Sequence, residues 1–164
     1  MIVVSNTTPL IGLASIERFQ LLEQLFGEIH IPQAVYDEAV VFGREVGGAR
    51  QEVQAATWIQ TLPVKDRLAV DMLLGELDLG EAETIVLARE IGADWVLMDE
   101  KRGRRKLTQL DMPKIGTLGI LLKAKQIGLL PTIQPEIARL RRLGFSISQS
   151  VVEAVLRQAR EQAS

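Results

Sequence analysis

The chain carries no cysteine and a single histidine, His30, in 164 residues. A fold held by disulfide staples is therefore excluded, and the composition suits a reducing compartment. Aromatic side chains make up only 4%, so stacking on the bases of a single-stranded nucleic acid is not strongly signalled. No apolar run approaches the ~18 residues of a membrane span, and Met1 leads directly into a strand-like run with no basic-apolar signal segment. These absences predict a cytoplasmic protein with no membrane partner. Net charge is scarce too, at -2. That excludes nucleic-acid binding driven by total charge but leaves local basic patches open. Repeats, linkers and low-complexity tracts are missing as well.

Hydrophobic residues, by contrast, reach 47%, enough for one domain with its own core. Apolar strand-like runs alternate with helical patterns. Ile2 to Ser5, "EIHIP" from Glu28 to Pro32, "WIQTLPV", Trp95 to Met98 and a short run at Lys114 to Ile115 read as strands. Two short helices broken near Ser15 follow the first strand. A helix beginning at Pro32 has Val35, Ala39 and Phe42 on one stripe and Gly43 as its stop, and a looser helical stretch after it is interrupted at Gly47-Gly48. Further helices run from about Lys65 to Leu74 and from about Gly80 to Ile91, the latter closed by Gly92. This alternation predicts an α/β fold, a doubly wound, mostly parallel sheet of four to five strands. Residues 1–118 are expected to form the core. Residues 119–164, punctuated by Pro131, Pro135 and Gly144, are expected to add C-terminal helices packed on it, with one domain overall.

In such a sheet, ligands bind beyond the carboxyl ends of the strands. Asn6, just past the first strand in "VVSNTTPL", is thus a candidate site residue; its other reading is a cap for the helix that starts near Pro9. Several acids fall in comparable places. Glu38 lies on the helix after the second strand, Glu81 and Glu83 near the start of the helix before the fourth, and Asp99-Glu100 at that strand's end. Converging carboxylates repel unless a cation lies between them, and an all-oxygen set suits Mg²⁺ or Mn²⁺ and not zinc. Each acid also has a plainer role: Glu38 as an exposed helix face, Glu81 and Glu83 as residues favoured near a helix N-terminus, Glu100 as a cap. His30, in mid-strand, reads as structural.

The segments "VVSNTTPLIGLA", "IPQAVYDEAV", "LDLGEAETIVLARE", "WVLMDEKRGRR" and "IGTLGILLKAKQIGLL" resemble, in order, the blocks of the PIN-domain family, in particular the small prokaryotic PIN-like group with a C-terminal helical extension. The resemblance implies a FLAP-nuclease-like fold and a Mg²⁺- or Mn²⁺-dependent ribonuclease that acts as a toxin beside a cognate antitoxin. It implies Glu38, Glu81 and Asp99 as catalytic metal ligands, with Asn6, Glu83 and Glu100 as further candidates. Glu81 is preferred to Glu83, which lies about 200° further around the same helix. Thr7 matches a family hydroxyl that bonds a phosphate or a metal-bound water. Asn6 departs from the pattern by standing where the family usually has its first aspartate. An amide oxygen can still coordinate a hard cation, but without the charge that makes a carboxylate bind it strongly.

Directly after the last acids comes "KRGRRK", five basic residues in six. Lys101, Arg102, Arg104 and Arg105 are placed to meet a phosphate backbone at the crevice rim, Arg104 and Arg105 foremost; a solvated helix face is the alternative. Arg139, Arg141 and Arg142 read as a solvated or partner-binding face. Apolar residues in "IGTLGILLKAKQIGLL" and "SVVEAVLRQA" predict a homodimer. The resulting expectation is an endoribonuclease cutting single-stranded RNA, paired with a small antitoxin protein. The alternative is a PIN-fold binding module for nucleic acid or protein, with turnover weakened through Asn6. A phosphoacceptor domain shares the sheet but needs an acid pair after the first strand, and "SNTT" has none.

Overall fold

The computed structural model describes residues 1–43 and 48–161. Gly47 of the expected Gly47-Gly48 break lies outside them. Five parallel strands, β1 (Val3–Ser5), β2 (Ile29–Pro32), β3 (Ile59–Leu62), β4 (Trp95–Leu97) and β5 (Lys114–Ile115), form one sheet in the order β3-β2-β1-β4-β5. Central β1 is buried throughout, because helices cover both faces and leave no side for polar residues. Its side chains alternate between two cores. Val3 joins Leu10, Leu13, Leu22, Ile29, Ile31 and Leu97 on one face, while Val4 joins Val70, Ile85, Val96, Met98 and Leu107 on the other. Register follows from this division: Val4 pairs with His30 on one side and Val96 on the other.

The helices α1 (Thr7–Ser15), α2 (Gln20–Phe26), α3 (Gln33–Tyr36), α4 (Arg50–Ala55), α5 (Arg67–Leu73), α6 (Leu79–Ile91) and α7 (Lys101–Gln109) connect the strands. Two of them set the site. In α6 a reciprocal capping box starts the helix: Glu81 N–H donates to Asp78 Oδ1 at 2.8 Å and Asp78 N–H to Glu81 Oε1 at 3.2 Å. Gly92, at φ 66°, ends it in the left-handed region. The second helix departs from expectation. Pro32 closes β2 and α3 begins at Gln33, after which the helix widens into a π-helical turn, Asp37–Val41. The i→i+5 pattern adds a residue to the turn, so the 3.6-residue stripe breaks after Ala39. Val40 takes the buried slot, and Phe42, expected inside, is 79% exposed.

Three helices close the chain: α8 (Thr117–Gln126), α9 (Gln134–Arg142) and α10 (Gln149–Gln158). The expected boundary between residues 118 and 119 falls inside α8. Ile120, Leu121 and Ala124 of α8 share one cluster with Leu10 and Leu22 of the core and with Leu140, Val152 and Leu156 of α9 and α10. Among the described residues, no helix is long and apolar enough to cross a membrane.

Candidate active site

The carboxyl ends of the strands gather the polar residues. Asn6, Thr7 and Thr8 follow β1, Glu38 stands on the π-helical turn after β2, and Asp99 and Glu100 follow β4. Thr117 follows β5, and Asp78 and Glu81 open α6. Each acid meets a short polar side chain. Thr7 Oγ1 donates to Glu38 Oε2 at 2.7 Å, and Asn6 Nδ2 donates to Glu100 Oε2 at 3.0 Å while Thr8 donates to its other oxygen. Asp99 receives the backbone N–H of Thr117 at 2.7 Å and its hydroxyl at 2.6 Å.

Two glycines stand where these acids leave no room. A Cβ on Gly80 would lie 2.2 Å from Glu38 Oε1, and one on Gly116 would lie 2.8 Å from Asp99 Oδ1. Glu38 as a residue is exposed, yet its carboxyl end is thus enclosed between Thr7 and the first turn of α6.

Electrostatics ties the group together. Burial raises the Glu38 carboxyl above its usual range, and the charges of Asp78, Glu100 and Glu83 add to this against the opposing Thr7 bond. Glu81 is pushed up to about 7, first by burial and then by Asp78 and Glu100, with the Asp78 N–H opposing. Asp99 is raised by burial and by Glu100, while Thr117 and Arg104 pull it back. The donors are all oxygen, and their mutual repulsion is the kind a hard divalent cation relieves, so the residues fit such an ion in type. Among the described residues, however, no three acids form a ready cage for one. Glu38, Glu100 and Asp99 rest on their threonine and asparagine partners instead.

Two plainer readings are corrected. Asn6 occupies the N-cap position of α1 and Glu100 that of α7, but neither side chain makes a capping hydrogen bond. They bond to each other. Glu83, the rival of Glu81, is committed elsewhere: its oxygens accept the Ala34 N–H at 2.9 Å and Arg67 Nη1 at 2.8 Å. It thereby holds the start of the helix that carries Glu38. His30 pairs through Nε2 with Glu28 at 3.0 Å, in mid-sheet.

The basic residues separate. Arg104 Nη1 donates to Met98 O at 3.0 Å, beside Asp99 and Gly116. Lys101 is exposed at the start of α7, while Arg102 and Arg105 line a different groove with Lys106. Arg139 reaches Glu17 and Glu136, and Arg141 bonds Ile147 O and Gln149, so both serve the helical extension.

Three site residues escaped the sequence reading. Thr117 was accessible to the same strand-end argument applied to β5. Asp78 was accessible through the D-x-x-E pattern of a capping box. Thr8 carried no signal of its own, since its role depends on where Glu100 points.

No curated protein matches the chain. The PIN-domain family does, over residues 2–161. PIN domains have a nuclease-type fold, are in general dependent on divalent metal, and take nucleic acid as substrate. With nearly its whole length matched and its five-stranded parallel sheet placing acids at the strand ends, the chain belongs to the PIN-domain family.

Proposed function

We propose that the protein is a metal-dependent endoribonuclease that cuts single-stranded RNA, the toxin of a toxin–antitoxin-like pair. The observation that carries this reading is the acidic group at the carboxyl edge of the sheet, whose members raise one another's pKa. Glu38, Glu81 and Asp99 are the residues to hold Mg²⁺ or Mn²⁺, with Asn6 and Glu100 beside them. Such an ion, when bound, activates water and offsets phosphate charge. The chain's own residues do the positioning. Thr7 and Gly80 fix the Glu38 carboxylate, Thr117 and Gly116 fix Asp99, and Asn6 and Thr8 hold Glu100. Glu81, with a pKa of about 7, is suited to take the proton that the attacking water gives up.

One observation favours a second reading, a binding module without turnover. Asn6 contributes a neutral amide next to Glu100 where the family resemblance places an aspartate. Cleavage of an end-labelled single-stranded RNA in Mn²⁺ decides between them. The nuclease reading expects cutting that chelator, Glu38→Gln and Asp99→Asn each abolish. RNA that binds yet stays intact establishes the module instead.

For the antitoxin-like partner, support comes from large apolar side chains left exposed next to the acids. Val41 and Phe42 follow Glu38 on its own turn, and Leu79 opens the helix of Glu81. For the homodimer the support is thinner. Most of the apolar residues that suggested it, among them Ile120, Leu121, Val152 and Leu156, are buried within the chain itself. Ile127, Leu129, Leu143 and Val151 remain exposed on that side of the sequence. Light scattering at tens of micromolar tests it, a monomer counting against the dimer.

A further inference from the structure

We propose that the groove between the Gly75–Glu76 turn and the outer face of α7 holds the phosphodiester backbone of a nucleic-acid strand beyond the acidic site. The proposal rests on the nuclease reading and extends it to a second, separately testable contact surface. The groove, of ≈ 400 Å³, is lined by Gly75, Glu76, Arg102, Arg105, Lys106 and Gln109.

Its origin is in the helix pattern. Of "KRGRRKLTQ", only Gly103 and Leu107 are buried against the core, which turns the cations outward. Arg18, Arg67, Arg104, Arg139 and Arg141 are each bound to a partner within the fold. Among the described residues, Arg102 and Arg105 have none. With Lys106 opposed by Glu76 at 3.0 Å, the lining keeps a positive excess of two charges. Two unpaired guanidinium forks a turn apart suit phosphate oxygens, which they can grip bidentately.

The position argues for the same strand that the acids would address. Glu100 is the N-cap of α7, so the groove begins two residues from the site and follows the helix for about 10 Å, from Arg102 to Gln109. Glu76 is the internal competitor. Its side chain is 64% exposed and occupies Lys106 where a phosphate oxygen would sit.

Fluorescence anisotropy of a short labelled single-stranded RNA, titrated in chelator over a range of salt, tests this without reference to cleavage. Replacing Arg102, Arg105 and Lys106 together by Gln should weaken binding and lower the slope of log affinity against log salt by about 2, because single strands release ~0.7 counterion per neutralised phosphate. Glu76→Gln should tighten binding about 2- to 5-fold, an effect that no purely structural role of the pair explains. Arg142→Gln, the same change of charge on α9, should leave both quantities alone. Melting curves establish that the variants fold, and single-stranded DNA of equal length and a polyglutamate peptide complete the set. DNA binding with the same slope supports the backbone assignment. An unchanged slope in the triple variant, no binding of RNA at all, or preferential capture of polyglutamate overturns it. If Mn²⁺-dependent cutting persists while the slope is unchanged, the groove fails and the nuclease reading stands. If the slope falls as expected and nothing is cut, the groove stands without it.

Discussion

Gly80 is the residue whose replacement separates the site from the fold. A methyl group there enters the space of Glu38 Oε1, at the flexible end of a side chain, so the carboxylate can move aside without disturbing backbone. Alanine also favours a helix over glycine by roughly 0.5–1 kcal/mol. Gly80→Ala should therefore melt at or slightly above the temperature of the natural protein, while Mn²⁺ affinity and RNA cleavage fall at least tenfold; titration calorimetry and a gel assay measure both. Asn6 gives the opposite test. Its amide donates to Glu100, and an aspartate there would put two carboxylates in contact. Asn6→Asp should melt earlier than the natural protein in chelator and bind Mn²⁺ about 10-fold or more tightly, since restoring a ligand should gain at least what losing a supporting partner costs. Equal Mn²⁺ affinity for the two proteins would remove Asn6 from the metal site. Asn6, Glu38 and Asp99 were each legible from their places after strands. Their threonine partners were less so, because a hydroxyl gains its role only from the direction of a carboxylate that lies far along the chain.

Elements were most legible where periodicity and punctuation agree, as in α6, which runs from the Asp78 cap to Gly92. The π-helical turn was not legible, because its extra residue per turn leaves composition unchanged while rotating everything after it; Phe42 moved outward for that reason alone. At the other end of the chain, a different device joins three helices. Glu161 accepts Lys125 Nζ from α8 at 2.8 Å and the backbone N–H groups of Ile133 and Gln134, which are otherwise orphaned at the start of α9. Burial works against its charge, but Lys125 and those two N–H groups together hold its carboxyl below the usual range. Glu161→Gln should cost about 1–3 kcal/mol, the usual worth of hydrogen bonds to a charged group. Hydrogen exchange would locate the loss in α8 to α10, with α6 unaffected. Because the folded pKa is depressed, this contribution is full above the unfolded value near 4.5 and disappears as pH falls through the folded one.

For the molecule as a whole, the acidic group reverses that dependence. The Glu81 carboxyl rises from 4.5 to about 7 on folding, so between those values the native protein holds protons that the unfolded chain has released. Stability is then greatest below about 4.5 as far as this group is concerned, and is lost as pH rises through 7. Glu38 and Asp99, also raised, act in the same direction. In chelator the melting temperature should drop by a few degrees between pH 5 and pH 8, and saturating Mn²⁺ should flatten the profile; a melt that is level in chelator would contradict the repulsion. The parallel sheet itself was readable from strand–helix alternation, but its order was not, since periodicity carries no information on which strands are neighbours. That order places β1 between β2 and β4, the latter beginning at Trp95. Asp99 finds its partner only at Thr117. On the ribosome, Thr7 and Glu38 emerge early, yet one side of β1 stays without a neighbour until more than half the chain has been made. Products of interrupted translation that stop before Asp99 cannot assemble the acids, and the chemistry of the site is withheld until the fifth strand and the start of α8 have left the exit tunnel.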